Sequence, residues 1–185
     1  LKAPAYKVAS FEATDIDLIK YIASKGKPMI ISTGLANYQE VVEAYETVKK
    51  SGCKDLVFLH CISSYPAPVE QSNISTIAYL KKRFKIPIGL SDHTITNTTA
   101  LGAVALGANV IEKHFTIDRK EKGPDSEFSM LPKDLKELCN NSREVWTSIG
   151  SVNFKLKKAE KENIRFRRSI YFIKPLKKNE TLTRE

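Results

Sequence analysis

The chain has 185 residues, 42% of them hydrophobic, which is enough for a sizeable core and too apolar for a disordered segment. No apolar run approaches the roughly 20 residues of a membrane-spanning helix, and the opening LKAPAYKVAS lacks the layout of a signal peptide. The formal charge of +9 is uneven: residues 151–185 hold 11 Lys/Arg against 4 Asp/Glu, the first 150 residues hold 19 against 17, and so the globular part is nearly balanced and shows no nucleic-acid-binding motif.

In chain order, strands are predicted at Tyr6–Ser10, Met29–Ser32, Leu56–Cys61, Ile86–Leu90 and Asn109–Glu112. Helices are predicted at about 15–25, 38–51, 72–83, 97–107 and 132–148, with Val41, Val42, Tyr45 and Val48 at helical spacing. Strand starts recur every 23 to 30 residues, the length of one right-handed βα unit. Lys25-Gly26-Lys27-Pro28 and Lys50-Ser51-Gly52 close helices before strands. The pattern is α/β with a parallel sheet.

Five units fall short of the eight in a closed (β/α)8 TIM barrel of about 250 residues. The expectation is therefore the C-terminal part of such a barrel in residues 1–150, belonging to a longer protein. A basic linker at 151–164 and the truncated start of a small β-rich domain at 165–185, marked by the apolar stretch Ser169–Leu176, would follow. An open five-stranded sheet, complete in itself, is the alternative. Cys53, Cys61 and Cys139 are odd in number and show no CxxC spacing, which predicts reduced thiols in a cytoplasmic protein. Cys61 reads as a small strand residue whose neighbour His60 alternates to the other face.

Ligands of parallel α/β sheets bind beyond the C-terminal ends of the strands. All three histidines, His60, His93 and His114, fall there. A lone histidine is usually a hydrogen-bonded interior residue, but His93 and His114 would come from neighbouring strands and suit a divalent metal with open positions. The first strand end gives Lys7, Ser10 and Glu12, with Glu12 in the loop. The second gives Ser32, Thr33 and Gly34, hydroxyl and backbone donors suited to an anion near a helix start. The third gives His60, Ser63, Ser64 and Tyr65, the fourth Ser91 and Asp92, and the fifth Glu112 and Lys113 with a loop through Gly123-Pro124-Asp125-Ser126. The residues by themselves predict metal-assisted chemistry on a phosphorylated substrate. They leave open a Schiff-base aldolase, with Lys7 or Lys113 as candidate amine, and a binding module whose basic tail contacts a polyanion.

Read in order, KVASFE, ISTG, HCISSYPAP, GLSDHT, ALGAVALGANVIEKHFT and GPDSEFS resemble the sialic acid synthase family, from Tyr6 to about Ser148. FRRSIYFIKPLKKNETLT is similar to the start of that family's antifreeze-like (SAF) domain. The resemblance implies condensation of phosphoenolpyruvate with an N-acetylated amino sugar to a nine-carbon 2-keto acid, with release of phosphate. KVASFE and GPDSEFS look most like pseudaminic acid synthases, with N-acetylneuraminate or legionaminic acid synthase as the alternative. It further implies Mn²⁺ or Mg²⁺ on His93 and His114, phosphoenolpyruvate held by Lys7, Ser10, Ser32, Ser63 and Ser91, and Glu12 near the reacting carbons. Tyr65 and Asp125 would contact the sugar, and the full-length protein would be a homodimer with neither nucleic-acid nor membrane partners. Ser63 stands where some neuraminate synthases carry Asn.

Overall fold

The computed structural model describes residues 2–120 and 123–183. It divides into two units, Leu1–Gly150 and Ser151–Glu185.

In the first unit, five strands alternate with helices: β1 (Tyr6–Val8), α1 (Ile16–Ala23), β2 (Met29–Ser32), α2 (Tyr38–Lys50), β3 (Leu56–Cys61), α3 (Ser75–Phe84), β4 (Ile88–Asp92), α4 (Thr98–Ala105), β5 (Val110–Lys113) and α5 (Pro132–Ile149). All pairings are parallel, and the spatial order β1-β2-β3-β4-β5 follows the chain. Consecutive order without reversal is barrel winding rather than the doubly wound kind. The sheet curls, so the unit is a half-barrel.

Local chemistry sets the element ends. Asn37 caps α2, its side chain accepting from Gln39 and Glu40 N–H while Glu40 returns the bond to Asn37 N–H. The Asp15 carboxylate accepts from Leu18 N–H at the start of α1, and Pro132 opens α5, where a missing donor does no harm. Lys85 ends α3 in the left-handed region.

Strand parity separates two faces. Val8, Met29, Ile31, Leu56, Phe58, Ile88 and Leu90 face the helices and form the core with Ile19, Val48, Ile77 and Phe84. Tyr45, Phe58 and Phe84 meet in tilted and edge contacts with centroids 4.9 to 6.5 Å apart. Each such buried side chain contributes about 1.5–3 kcal/mol, and these residues hold the helices on the sheet. Lys7, Ile30, Ser32, Leu59, Cys61, Gly89, Ser91 and Glu112 occupy the opposite, concave face by the same alternation.

Several boundaries differ from the expectation. β1 ends at Val8, because its ladder with β2 stops at Val8↔Ile31 and the chain turns into a 3-10 segment, Ser10–Glu12. β4 begins at Ile88, just after Pro87. It runs on to Asp92, which pairs in register with Lys113, so Ser91 and Asp92 are strand residues rather than loop residues. The second unit carries a 3-10 segment at Lys158–Phe166 and no strand among its described residues. Ser169–Leu176 is exposed and has no ladder partner among the described residues, and a strand exists only when paired. Residues 184 and 185, the end of the expected second domain, lie outside the described residues. No helix among the described residues is long and apolar enough to cross a membrane.

Candidate functional site

The concave face becomes polar at the C-terminal strand ends. Lys7 Nζ donates to Ser32 Oγ at 2.8 Å and lies 3.4 Å from Glu112 Oε1, which accepts from Ser91 Oγ at 2.7 Å. One hydrogen-bonded chain thus links β2, β1, β5 and β4. Ser32 and Ser91 are buried, while Lys7 and Glu112 are about one-third and two-fifths exposed and form its open side.

Beside this chain lies Cys61. Its Sγ accepts from Ser10 Oγ at 3.3 Å and stands 4.0 Å from Ser63 Oγ and 3.9 Å from His93 Nδ1. Gly34 closes the cluster: a Cβ there would collide with Ser63 Oγ and come within 2.7 Å of Ser10 Oγ. Three loops therefore approach so closely that only glycine fits without moving the hydroxyls.

His93 follows β4 and His114 follows β5, with ring centroids 5.2 Å apart. His93 Nδ1 donates to Ile62 O at 2.8 Å, and a carbonyl only accepts, so in the neutral ring the proton is on Nδ1 and Nε2 keeps its lone pair. His114 Nδ1 lies 3.4 Å from Asp125 Oδ2, which fixes the same tautomer. Ser129 N–H and Oγ both donate to Asp125 O, at 3.1 and 2.6 Å, while Met130 N–H donates to His114 O at 2.9 Å, so the loop carrying Asp125 is pinned beside β5. Tyr65 stacks on His93 at 4.2 Å and meets His114 edge-on at 5.6 Å, and Phe128 closes on His114 at 5.1 Å.

Protonation follows from these contacts. Burial disfavours charge on His93, but the Cys61 thiol and the Ile62 carbonyl outweigh it and hold its pKa above the ordinary value. Burial likewise pushes the Cys61 thiol up, and His93, Ser10 and Ser63 more than offset this, leaving it lowered. Burial and the neighbouring His93 lower His114, against Asp125 and Glu112. Burial raises Tyr65, helped by the negative charges around it.

Two imidazoles with free Nε2 atoms, each oriented through Nδ1, fit a divalent ion. Among the described residues no group of three or more His, Cys, Asp or Glu side chains is placed to hold a metal ion.

Of the expected residues, Lys7, Ser10, Ser32, Ser63, Ser91, Tyr65, His93, His114 and Asp125 come together at this rim. Glu12 sits exposed on the 3-10 turn, and its carboxylate makes no hydrogen bond or ion pair among the described residues. His60 is not part of the set: it lies on the helix-facing side, with Nε2 donating to Ser72 O at 2.8 Å. Lys113 also leaves the rim, its amine engaged behind the sheet with Asp92, Thr94 O and Thr96 O. As a Schiff-base amine it would have to break all three bonds. Cys61 and Phe128 join the site without having been expected there, and Glu112, expected at the rim but given no role, joins it through Lys7 and Ser91. Strand parity with Lys7 and Ser91 was the available signal for Glu112 and Cys61; for Phe128 it was a place in the GPDSEFS motif.

A sequence model of the NeuB family matches residues 1–154. The chain is 42% identical to N,N'-diacetyllegionaminic acid synthase and 40% identical to pseudaminic acid synthase, both of Campylobacter jejuni; the alignments cover 95% and 98% of this chain and 53% of each relative. The chain thus spans about half the length of the curated relatives it matches. Among solved structures, the N-acetylneuraminic acid (sialic acid) synthetase of Leptospira borgpetersenii superposes with a TM-score of 0.82 at 36% identity, covering 90% of this chain and 58% of that one.

Proposed function

Because the chain belongs to the NeuB family, we propose that the protein condenses phosphoenolpyruvate with an N-acetylated amino sugar, releasing phosphate and forming a nine-carbon 2-keto sugar acid. The observation that carries this reading is the rim itself. One lysine and a set of buried hydroxyls stand at the strand ends beside two imidazoles with free Nε2 atoms. Such a rim suits a small dianion and a polarised carbonyl in one pocket.

Lys7, Ser10, Ser32, Ser63 and Ser91 hold the phosphate and carboxylate of phosphoenolpyruvate. His93 and His114 hold a divalent ion, Mn²⁺ or Mg²⁺, which when bound would supply Lewis acidity toward the aldehyde oxygen of the open-chain sugar. Carbon 3 of phosphoenolpyruvate forms the new C–C bond to the aldehyde carbon as the C=O π pair moves onto the aldehyde oxygen, which takes up a proton, leaving an oxocarbenium at carbon 2. Water adds there, steered by Glu12 from the turn that begins at buried Ser10, and gives up a proton. The tetrahedral centre then breaks its C–O bond and expels phosphate, whose charge meets Lys7 and the hydroxyls already in position. Tyr65 and Asp125 line the sugar side.

The acceptor we assign is 2,4-diacetamido-2,4,6-trideoxy-L-altrose, giving pseudaminic acid, on the GPDSEFS loop that carries Asp125 and Phe128. The test is phosphate release by the intact protein with phosphoenolpyruvate and Mn²⁺, comparing that sugar class with N-acetylmannosamine. Release with the trideoxy sugar alone is expected. Release with N-acetylmannosamine would overturn the acceptor and keep the chemistry, and release with neither would overturn both.

A further inference from the structure

Behind the rim, on the helix-facing side, lies a charged pair that the chemistry above does not use. Lys113 Nζ and Asp92 Oδ2 are 2.9 Å apart, with side chains 4% and 1% exposed. Lys113 also donates to Thr94 O at 2.8 Å and Thr96 O at 2.9 Å, so all three ammonium protons are engaged. The other Asp92 oxygen, Oδ1, accepts from Thr94 N–H at 2.9 Å. The pair is therefore saturated.

Its energetics point away from stability as its role. Taking two charges out of water is expensive, and apolar residues of similar volume often serve a core equally well or better. Geometry is what such a pair supplies. Asp92 and Lys113 are cross-strand neighbours at the end of the β4–β5 ladder, and the next residues are His93 and His114. The lysine also draws the carbonyls of Thr94 and Thr96 back over β5, so the segment leaving His93 is tied to the strand that delivers His114. The remaining hydrogen-bonded anchors of each histidine run elsewhere, from the rings to Ile62 O and Asp125 and from the backbone carbonyls to Ala67 and Met130 N–H, while the Tyr65 ring packs against both imidazoles without a hydrogen bond to either. None of those four ties one histidine to the other's strand.

We infer that the Lys113–Asp92 pair is a positioning device that fixes the separation and orientation of the His93 and His114 imidazoles. The inference rests on the reading that these two side chains hold a divalent ion. Lys113 and Asp92 touch neither ion nor substrate. They act by setting where two strand ends stop relative to each other, to a tolerance that two coordinating nitrogens require.

The experiment is Mn²⁺ binding to the intact protein, followed by the electron paramagnetic resonance of free Mn²⁺, with thermal melting in parallel. The variants are His93→Ala, Asp92→Asn and the double change Asp92→Leu with Lys113→Met. The double variant leaves no buried charge unpaired, so it is expected to melt within about 5 °C of the wild type while binding Mn²⁺ at least about tenfold more weakly. Asp92→Asn, which keeps the shape and one acceptor, is expected to weaken binding in the same direction and serves if the double variant does not fold. In turnover the Mn²⁺ concentration for half-activation should rise while the KM for phosphoenolpyruvate stays put, a split that general loosening of the fold would not produce. Folded variants with wild-type Mn²⁺ affinity, alongside weakened binding in His93→Ala, would overturn the positioning role alone. Binding unaffected by His93→Ala would overturn the metal reading and the positioning role with it.

Discussion

Lys7 on β1 and Glu112 on β5 occupy opposite edges of the sheet, yet their side chains meet at 3.4 Å. Four inter-strand steps of about 4.8 Å would hold these strands roughly 19 Å apart in a flat sheet. The contact therefore requires the sheet to curl, with its concave side gathering residues from every strand. Both side chains are partly exposed, so their pairing contributes little to stability, about 0–1 kcal/mol. What the contact does is aim an ammonium group at the mouth of the half-barrel.

Replacing that ammonium separates binding from folding. Lys7→Met should raise the KM for phosphoenolpyruvate about tenfold or more, the loss of one charge-assisted contact, with the melting temperature almost unchanged. Steady-state phosphate release and calorimetry on the intact protein measure both; an unaltered KM would remove Lys7 from the anion site.

His93→Ala deletes one of the two free Nε2 atoms. Turnover at saturating Mn²⁺ should fall by several orders of magnitude. A rate equal to that of the wild type under the same conditions would refute the ligand role.

Gly34→Ala tests the crowding of three loops. The new methyl displaces the Ser63 and Ser10 hydroxyls, which are short side chains able to rotate away. Affinity for phosphoenolpyruvate should drop while unfolding by urea stays close to wild type. A large loss of stability with unchanged KM would mean that the hydroxyls serve packing instead.

Gly89→Ala behaves oppositely, because its Cβ would run into the backbone carbonyl of Val110 and stand 2.6 Å from Leu59 Cδ2. Backbone cannot swing aside as a hydroxyl does. Overpacking of this kind destabilises by about 1–3 kcal/mol, and equilibrium urea unfolding should show it.

Acid should weaken the fold through His60. Burial lowers its pKa, partly opposed by the Ser72 carbonyl. In the unfolded chain it titrates near 6.5, so on acidification the unfolded state takes up the proton first. Stability is complete above about pH 6.5 and declines as pH falls through the folded pKa. His114, also lowered, adds to the trend, and His93, raised, opposes it. His60→Gln should therefore flatten the drop in urea midpoint between about pH 7.5 and 5.5. An equal drop in both proteins would show that other groups carry it.

The sequence by itself determined the elements and their sidedness. Apolar spacing, Gly and Pro at the breaks and β-branched runs located all five βα units to within a few residues, because those signals depend on near neighbours. Alternation separated His60 from Cys61, and the strand-end rule brought His93 and His114 to one rim. Tertiary structure alone decided which rim residues touch. Cys61 reaches Ser10 across 51 positions, Lys7 reaches Glu112 across the curl, and Lys113 turns behind the sheet to Asp92 while Glu112 beside it turns inward. The degree of curl is summed over the twist of five strands and the packing of the helices behind them. That sum is a property of the whole unit, and no local window of the chain contains it.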